Sequence, residues 1–272
     1  MKKVKVLAVL SVVFLIFLSA CGSAGVTKIS LAEVTRSVFY TPMYVAIEEG
    51  FFEEEGLEVD LQTTWGGDTT MTTLLSDGAD IALVGAETSI YVYAQDSKDY
   101  AINFAQLTQT DGTFLVAKEE KPDFTWEDVK ESNFLGQRIG GMPQMVGEFV
   151  LKKHGIDPHN DVNLDQSVDF ANIPSAFQSG NYEYVQLFEP TASVFEREGT
   201  GHIVASFGEE SGTVPYTVFM TKQSYMDENE EAVEKFTKAI YKAQQWIQET
   251  DAETIAKSVQ PFFEDTDVEL LA

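Results

Sequence analysis

The chain has a single cysteine in 272 residues. No intrachain disulfide is possible, so the fold must stand on its hydrophobic core. Hydrophobic residues make up 44% of the chain, enough for one large domain or two small ones. Positive charge is also scarce: 18 lysines and arginines face 44 aspartates and glutamates, for a formal net charge of −26. A field of that sign repels polynucleotides and anionic lipid surfaces, which argues against nucleic acid as a partner. Runs such as 48–56 and 227–235 read as solvated helix ends and faces. The three histidines do not cluster, and His154 and His159 flank a turn-like segment without metal-ligand spacing. The Gly-x-Ser-x-Gly elbow, the phosphate-loop pattern and His-Glu-x-x-His are all missing. Carboxylate pairs are plentiful because acids are plentiful, so they single out no general acid or base. A non-enzymatic protein without a cofactor is the expectation.

Long apolar runs are lacking too, apart from one. Lys2, Lys3 and Lys5 precede fifteen mostly apolar residues, 6–20, and small residues close the run. This is the order of a secretory signal. As a helix it would reach about 22 Å, short of the ~30 Å hydrocarbon core, so a permanent span is not expected. The segment Leu18-Ser19-Ala20-Cys21 resembles the bacterial lipobox. That resemblance implies diacylglycerol on Cys21 and cleavage before it, with residues 1–20 as signal and 21–28 as an anchor linker. The protein would then be held at the extracytoplasmic face of the cell membrane. The alternative is ordinary secretion with Cys21 an incidental thiol. Removing residues 1–20 takes three lysines and no acid, leaving a formal charge of −29.

The rest alternates strand and helix signals. Residues 28–34 are β-rich, and Pro42 suits a first helical position, with Met43, Ala46 and Ile47 on one helix face. Residues 57–63 alternate Leu57, Val59 and Leu61 with polar residues, the period of a half-buried strand. Asp68 is placed to cap a helix whose buried stripe would be Met71, Leu74 and Leu75. Residues 80–86 read as an apolar strand of a parallel sheet. Thr125 to Asp128 has capping-box spacing, and the next helix would bury Val146, Phe149 and Val150. A strand at 214–222 precedes a long helix with Val233, Phe236, Ile240 and Ile247 on one face. Two βα series of similar length predict an α/β protein of two lobes.

Four segments, 37–61, 78–89, 125–143 and 188–192, resemble solute-binding proteins of ABC importers, in the branch that includes sulfonate, taurine, nitrate and thiamine-pyrimidine binders. The resemblance implies a two-lobed type II periplasmic-binding-protein-like fold with two crossovers, near 108–113 and 211–216. Lobe 1 would comprise 29–112 and 215–272, and lobe 2 would comprise 113–214. It also implies ABC permease subunits as partners, a small-molecule ligand between the lobes, and a monomer. Family members generally continue past an ending such as 265–272, so a longer chain is implied. The same fold also hosts a pyrimidine-forming enzyme, the enzymatic alternative.

In open α/β sheets, ligands bind beyond the carboxyl ends of the strands. The loops there offer Arg36, Ser37, Phe39 and Tyr40, then Trp65, Gly67 and Asp68, then Gly85, Glu87 and Thr88. Further along the chain come Thr108 and Gln109, then Gly141, Met142 and Gln144, and finally Glu189. Aromatic rings can sandwich a planar ligand, glycines admit backbone amides, and carboxylates accept from an amine. Each also has a plainer use: Phe39 and Tyr40 as core, Glu87 and Glu189 as compensation for helix N-termini. One arginine, Arg36, stands against Asp68, Glu87 and Glu189. That balance favours an amine-bearing or nitrogen-heterocyclic ligand such as a thiamine-pyrimidine precursor, with a sulfonate as the runner-up.

Overall fold

The computed structural model describes residues 25–272; the expected signal, Cys21 and the first part of the linker lie outside the described residues. The first half of the chain runs β1 (Thr27–Glu33), α1 (Thr41–Glu48), α2 (Phe51–Glu54), β2 (Leu57–Thr63), α3 (Gly67–Leu75), β3 (Ile81–Gly85), α4 (Glu87–Ala94) and β4 (Ala101–Gln106). Then come β5 (Thr113–Ala117), β6 (Asn133–Leu135), α5 (Met142–Lys153), β7 (Asn163–Asp165), α6 (Ile173–Ser179), β8 (Tyr184–Phe188), α7 (Thr191–Glu198), β9 (His202–Ser206) and α8 (Phe207–Ser211). The chain finishes with β10 (Thr217–Lys222), α9 (Gln223–Glu228), α10 (Glu230–Glu249), α11 (Ala252–Val259) and α12 (Val268–Leu271).

These strands form two five-stranded sheets, ordered β2-β1-β3-β10-β4 and β7-β6-β8-β5-β9, which define a two-lobed α/β fold. In the first, β1 lies parallel to β2 and β3, while β10 returns antiparallel between β3 and β4. The apolar β3 is buried along its whole length because it is flanked on both sides. In the second, β6 is parallel to β7 and β8, and β5 is antiparallel to β8 and β9. The chain passes between the sheets at 107–112 and 212–216. The two passages are tied together, with Val214 N–H donating to the Gln109 carbonyl at 2.8 Å and Leu107 N–H to the Thr217 carbonyl at 3.0 Å. The carboxyl ends of the parallel strands of both sheets meet at the cleft between them.

Helix α10 buries Val233, Phe236 and Ile240 as its periodicity predicts, and Ile247 packs at the margin. Phe236 meets Phe52 at 4.9 Å and Phe219 at 5.0 Å between ring centroids, which ties the end of the chain to the first lobe. The capping box at Thr125 and Asp128 forms, but over a short 3-10 turn, Trp126–Val129. Three local expectations change. Gly66, not Asp68, occupies the N-cap of α3, because the helix already starts at Gly67, and the Asp68 carboxylate in its first turn pairs with an arginine of the other lobe. Leu75 is left exposed at the end of the same helix. Phe149 also faces outward, since Val146, Val150 and Leu151 already fill the side of α5 that meets its sheet.

Candidate functional site

Helices α4 and α5 begin at the cleft, one from each lobe, and the Glu87 side chain joins their first turns. Glu87 Oε1 accepts from Met142 N–H at 2.9 Å. Glu87 is buried, and its Oε2 has no hydrogen-bond partner among the described residues. Burial pushes its carboxyl up to about 7; the amides of Glu87 and Met142 only partly oppose that. The carboxylate folds back over Gly85, where a Cβ would stand 2.2 Å from Oε2, so only glycine admits it there. Tyr40, Gly141, Met142, Phe170 and Tyr216 wall the same space, a cavity of about 20 Å³ that holds little more than a water.

A second buried carboxyl stands behind this one. Asp111, in the first passage between lobes, accepts from Thr113 N–H at 2.6 Å and from the Thr113 hydroxyl. Burial pushes it up to about 7, with the Thr113 bonds and the neighbouring Tyr216 hydroxyl opposing. Tyr216 is held well above the ordinary tyrosine range by burial, and then by the charge of Asp111. Tyr40 is raised by burial as well, and its hydroxyl lies 3.5 Å from Thr217 Oγ1. The cleft core therefore sets the Glu87 carboxyl among protonated tyrosine hydroxyls, and among the described residues its lining includes no basic side chain.

Beside it lies a larger chamber of about 350 Å³, whose lining includes Arg36, Trp65, Gln137, Phe170, Phe188 and Phe262. Gln137 is buried there, donating to the Gln186 carbonyl at 2.6 Å while its Oε1 has no partner among the described residues. Arg36 is not a free cation. Its Nε meets Glu33 at 2.8 Å, its Nη2 donates to Thr63 at 2.9 Å, and its guanidinium lies over Tyr44 and Phe262. Trp65 projects from a residue with φ of 55° and is 43% exposed, so its ring is free to meet a ligand.

Of the expected residues, Tyr40, Gly67, Gly85, Glu87, Gly141 and Met142 line the cleft core, and Arg36 and Trp65 line the adjoining chamber. Phe39 and Glu189 line a third cavity, of about 450 Å³, together with Asp111 and Gly112, and the others serve the frame. Ser37 caps the turn Val38–Tyr40 and donates to the Glu189 carbonyl at 3.0 Å, linking the lobes. Phe39 packs edge-to-face on Tyr216 at 6.2 Å. Asp68 forms a bidentate pair with Arg138, both contacts 2.9 Å, and Arg138 Nε reaches Asp169 at 3.3 Å. Thr88 donates to the Gly85 carbonyl, and Thr108 accepts from Thr217 N–H. Gln109 is exposed, Gln144 donates to Glu148, and Glu189 accepts from Ser193 at the start of α7. Asp111, Gln137, Arg138, Gln186 and Tyr216 were not legible as site residues. Arg138 alone carried a signal, a lone cation in the glycine-rich loop after β6.

The two-lobed architecture is the periplasmic-binding-protein fold. Its solved neighbours include the alkanesulfonate-binding protein SsuA from Xanthomonas axonopodis pv. citri bound to MOPS, with a TM-score of 0.76 and 15% identity over 92% of this chain and 83% of that one. The periplasmic nitrate-binding protein NrtA from Synechocystis PCC 6803 follows, with a TM-score of 0.75 and 19% identity over 90% of this chain and 69% of that one. Residues 26–261 match the NMT1-like family, and the chain belongs to it. It is 64% identical over 261 residues to YtlA of Bacillus subtilis (strain 168), named as a binding protein, covering 95% of this chain and 78% of that one. Among the described residues, no helix is long and apolar enough to cross a membrane.

Proposed function

We propose that the protein is the extracytoplasmic solute-binding component of an ABC importer, and that it captures an amine-bearing nitrogen heterocycle, such as a thiamine-pyrimidine precursor, between its lobes. The observation that carries the ligand class is Glu87 Oε2, a buried acceptor without a partner in the cleft core. An amine or amidine donor would satisfy it and restore the charge of the carboxylate. The arrangement of cations supports the same reading. Arg36 is committed to the buried Glu33, and Arg138 is committed to Asp68 and Asp169, so neither is a free partner for a sulfonate. The first amide of α5, which could greet an anion, already donates to Glu87. Trp65 and the phenylalanines of the neighbouring chamber provide faces for a planar ring.

Capture works by closure: the ligand stabilises the closed form through its differential affinity, and that form is the one delivered to the permease. Lipid on Cys21 would keep the binder at the membrane, and as a single acyl chain holds only marginally, stable attachment implies two or more. A thermal-shift screen with aminopyrimidines, thiamine, taurine, alkanesulfonates and nitrate tests the ligand class. At roughly 100 times its dissociation constant, an aminopyrimidine should add about 2.7 kcal/mol of stability. Stabilisation by sulfonates and not by pyrimidines would reverse the choice of ligand, and a flat response across the panel would count against a binding role.

A further inference from the structure

Two buried acceptors at the cleft have no donor among the described residues, and they belong to different cavities. Glu87 Oε2 lies in the cleft core, and Gln137 Oε1 belongs to the chamber beside it. The amide of Gln137 is not free to turn over and find a partner. Its Nε2 donates to the Gln186 carbonyl on β8 at 2.6 Å, which fixes Oε1 as the atom left over, and the residue is only 2% exposed. A buried amide oxygen without a donor costs free energy that an apolar residue of the same size would avoid. The main groups of the chamber wall do not relieve it: Arg36 is committed to Glu33 and Thr63, and Phe170, Phe188 and Phe262 have no polar donor.

The two cavities are neighbours, since Phe170 and Phe188 line both. The core, at about 20 Å³, takes no more than one small polar group. A cavity of about 150 Å³ already holds benzene, so the chamber of about 350 Å³ has room for a substituted ring. We propose, on the strength of the solute-binding reading above, whose ligand this narrows, that Gln137 is a second specificity residue: its Oε1 accepts an N–H from the ring in the chamber while Glu87 accepts the ring's amine in the core, so that the protein selects planar heterocycles carrying two separate donors. Glu87 comes from the first lobe and Gln137 from the loop after β6 in the second. A two-donor ring therefore ties the lobes together and favours the closed form by its differential affinity. A ring with one donor leaves one acceptor buried and unpaired, and a site built to meet an N–H rejects the analogue lacking it far more strongly than an apolar pocket rejects a missing methylene.

The test is isothermal titration calorimetry of the purified chain with matched pyrimidines. Diaminopyrimidines with the second amine at each open ring carbon are compared with 4-aminopyrimidines that carry a methyl group there, which keeps size and shape and removes the donor. At one ring position or more, the diamine should bind the parent chain at least about tenfold tighter than its methyl partner. Gln137→Met, close in size but without the amide acceptor, should bring that ratio to within about twofold of unity, which a merely structural role for the residue would not do. The comparison of ligands on the parent chain needs no variant, so it decides the matter even where Gln137→Met does not fold. A smaller preference at every position, with the methyl compounds still bound, would overturn the second donor and leave the amine at Glu87 intact. A tenfold preference that survives in Gln137→Met would assign the second donor to another acceptor and overturn the role of Gln137. If no pyrimidine binds, the proposed ligand class falls, and this specificity with it.

Discussion

Glu87→Gln is the perturbation with the most to say about the cleft. The carboxyl is lifted from its ordinary 4.5 to about 7 by burial, so the folded chain holds this proton more tightly than the unfolded chain. Its contribution to stability is whole at acid pH, declines as pH rises from about 4.5 through about 7, and is flat above that. At about 1.4 kcal/mol per unit, the cost of the ionised group is about 3 kcal/mol at pH 8 and under about 1 kcal/mol at pH 5, a loss of about 2.5 kcal/mol between them. Glutamine keeps an acceptor for Met142 N–H and does not titrate in this range. The parent chain should therefore lose about 5–10 °C more in melting temperature between pH 5 and pH 8 than Glu87→Gln does, measured by calorimetry without solute. The neutral exocyclic N–H of an aminopyrimidine, donated to Glu87 Oε2, favours the ionised carboxyl and offsets this penalty, so aminopyrimidine stabilisation of the parent chain should be larger at pH 8 than at pH 5. Parallel pH curves for the two proteins would refute the reasoning, because the burial of this carboxyl would then carry no free energy.

Other perturbations address the frame and the anchor. Arg138→Ala removes the bidentate tie to Asp68 across the cleft; with side chains 33% and 63% exposed, it should weaken closure by about 0.5–1 kcal/mol. X-ray scattering should show a more open chain at low salt, and the difference from the parent should vanish near 1 M salt, where screening falls to about 3 Å. Gly85→Ala places a Cβ within 2.4 Å of both Glu87 carboxylate oxygens, so the side chain must leave its seat. The fold should persist, with aminopyrimidine affinity lost and the Glu87 titration, followed by NMR, moved toward the ordinary carboxylate range. Cys21→Ala should release the protein from the membrane fraction or block its processing without altering its melting temperature; an unchanged fractionation would reject the lipid anchor.

Periodicity and composition determined most of the local structure here. The alternation at 57–63, the apolar run at 80–86 and the helical spacing of Val233, Phe236 and Ile240 each report which face is buried, and burial follows from a segment's own pattern once it has a sheet to lie on. The rule that ligands gather beyond strand carboxyl ends likewise led to Tyr40, Gly85, Glu87 and Met142. Partnership across lobes was beyond that kind of reading. Asp68 had the position of a helix cap, yet it pairs with Arg138, seventy residues away in sequence, and Arg36 had the charge of an anion binder, yet it neutralises Glu33. Phe149 kept core spacing on α5, but Val146, Val150 and Leu151 already filled that side, and its ring was left on the surface. Asp111 gave no sign of its importance, because its burial depends on where the chain crosses between the sheets. A residue's periodicity is written in its neighbours along the chain. Its charge state and its partner are set by whatever the fold brings within a few ångströms, and here that was decided by how two lobes meet.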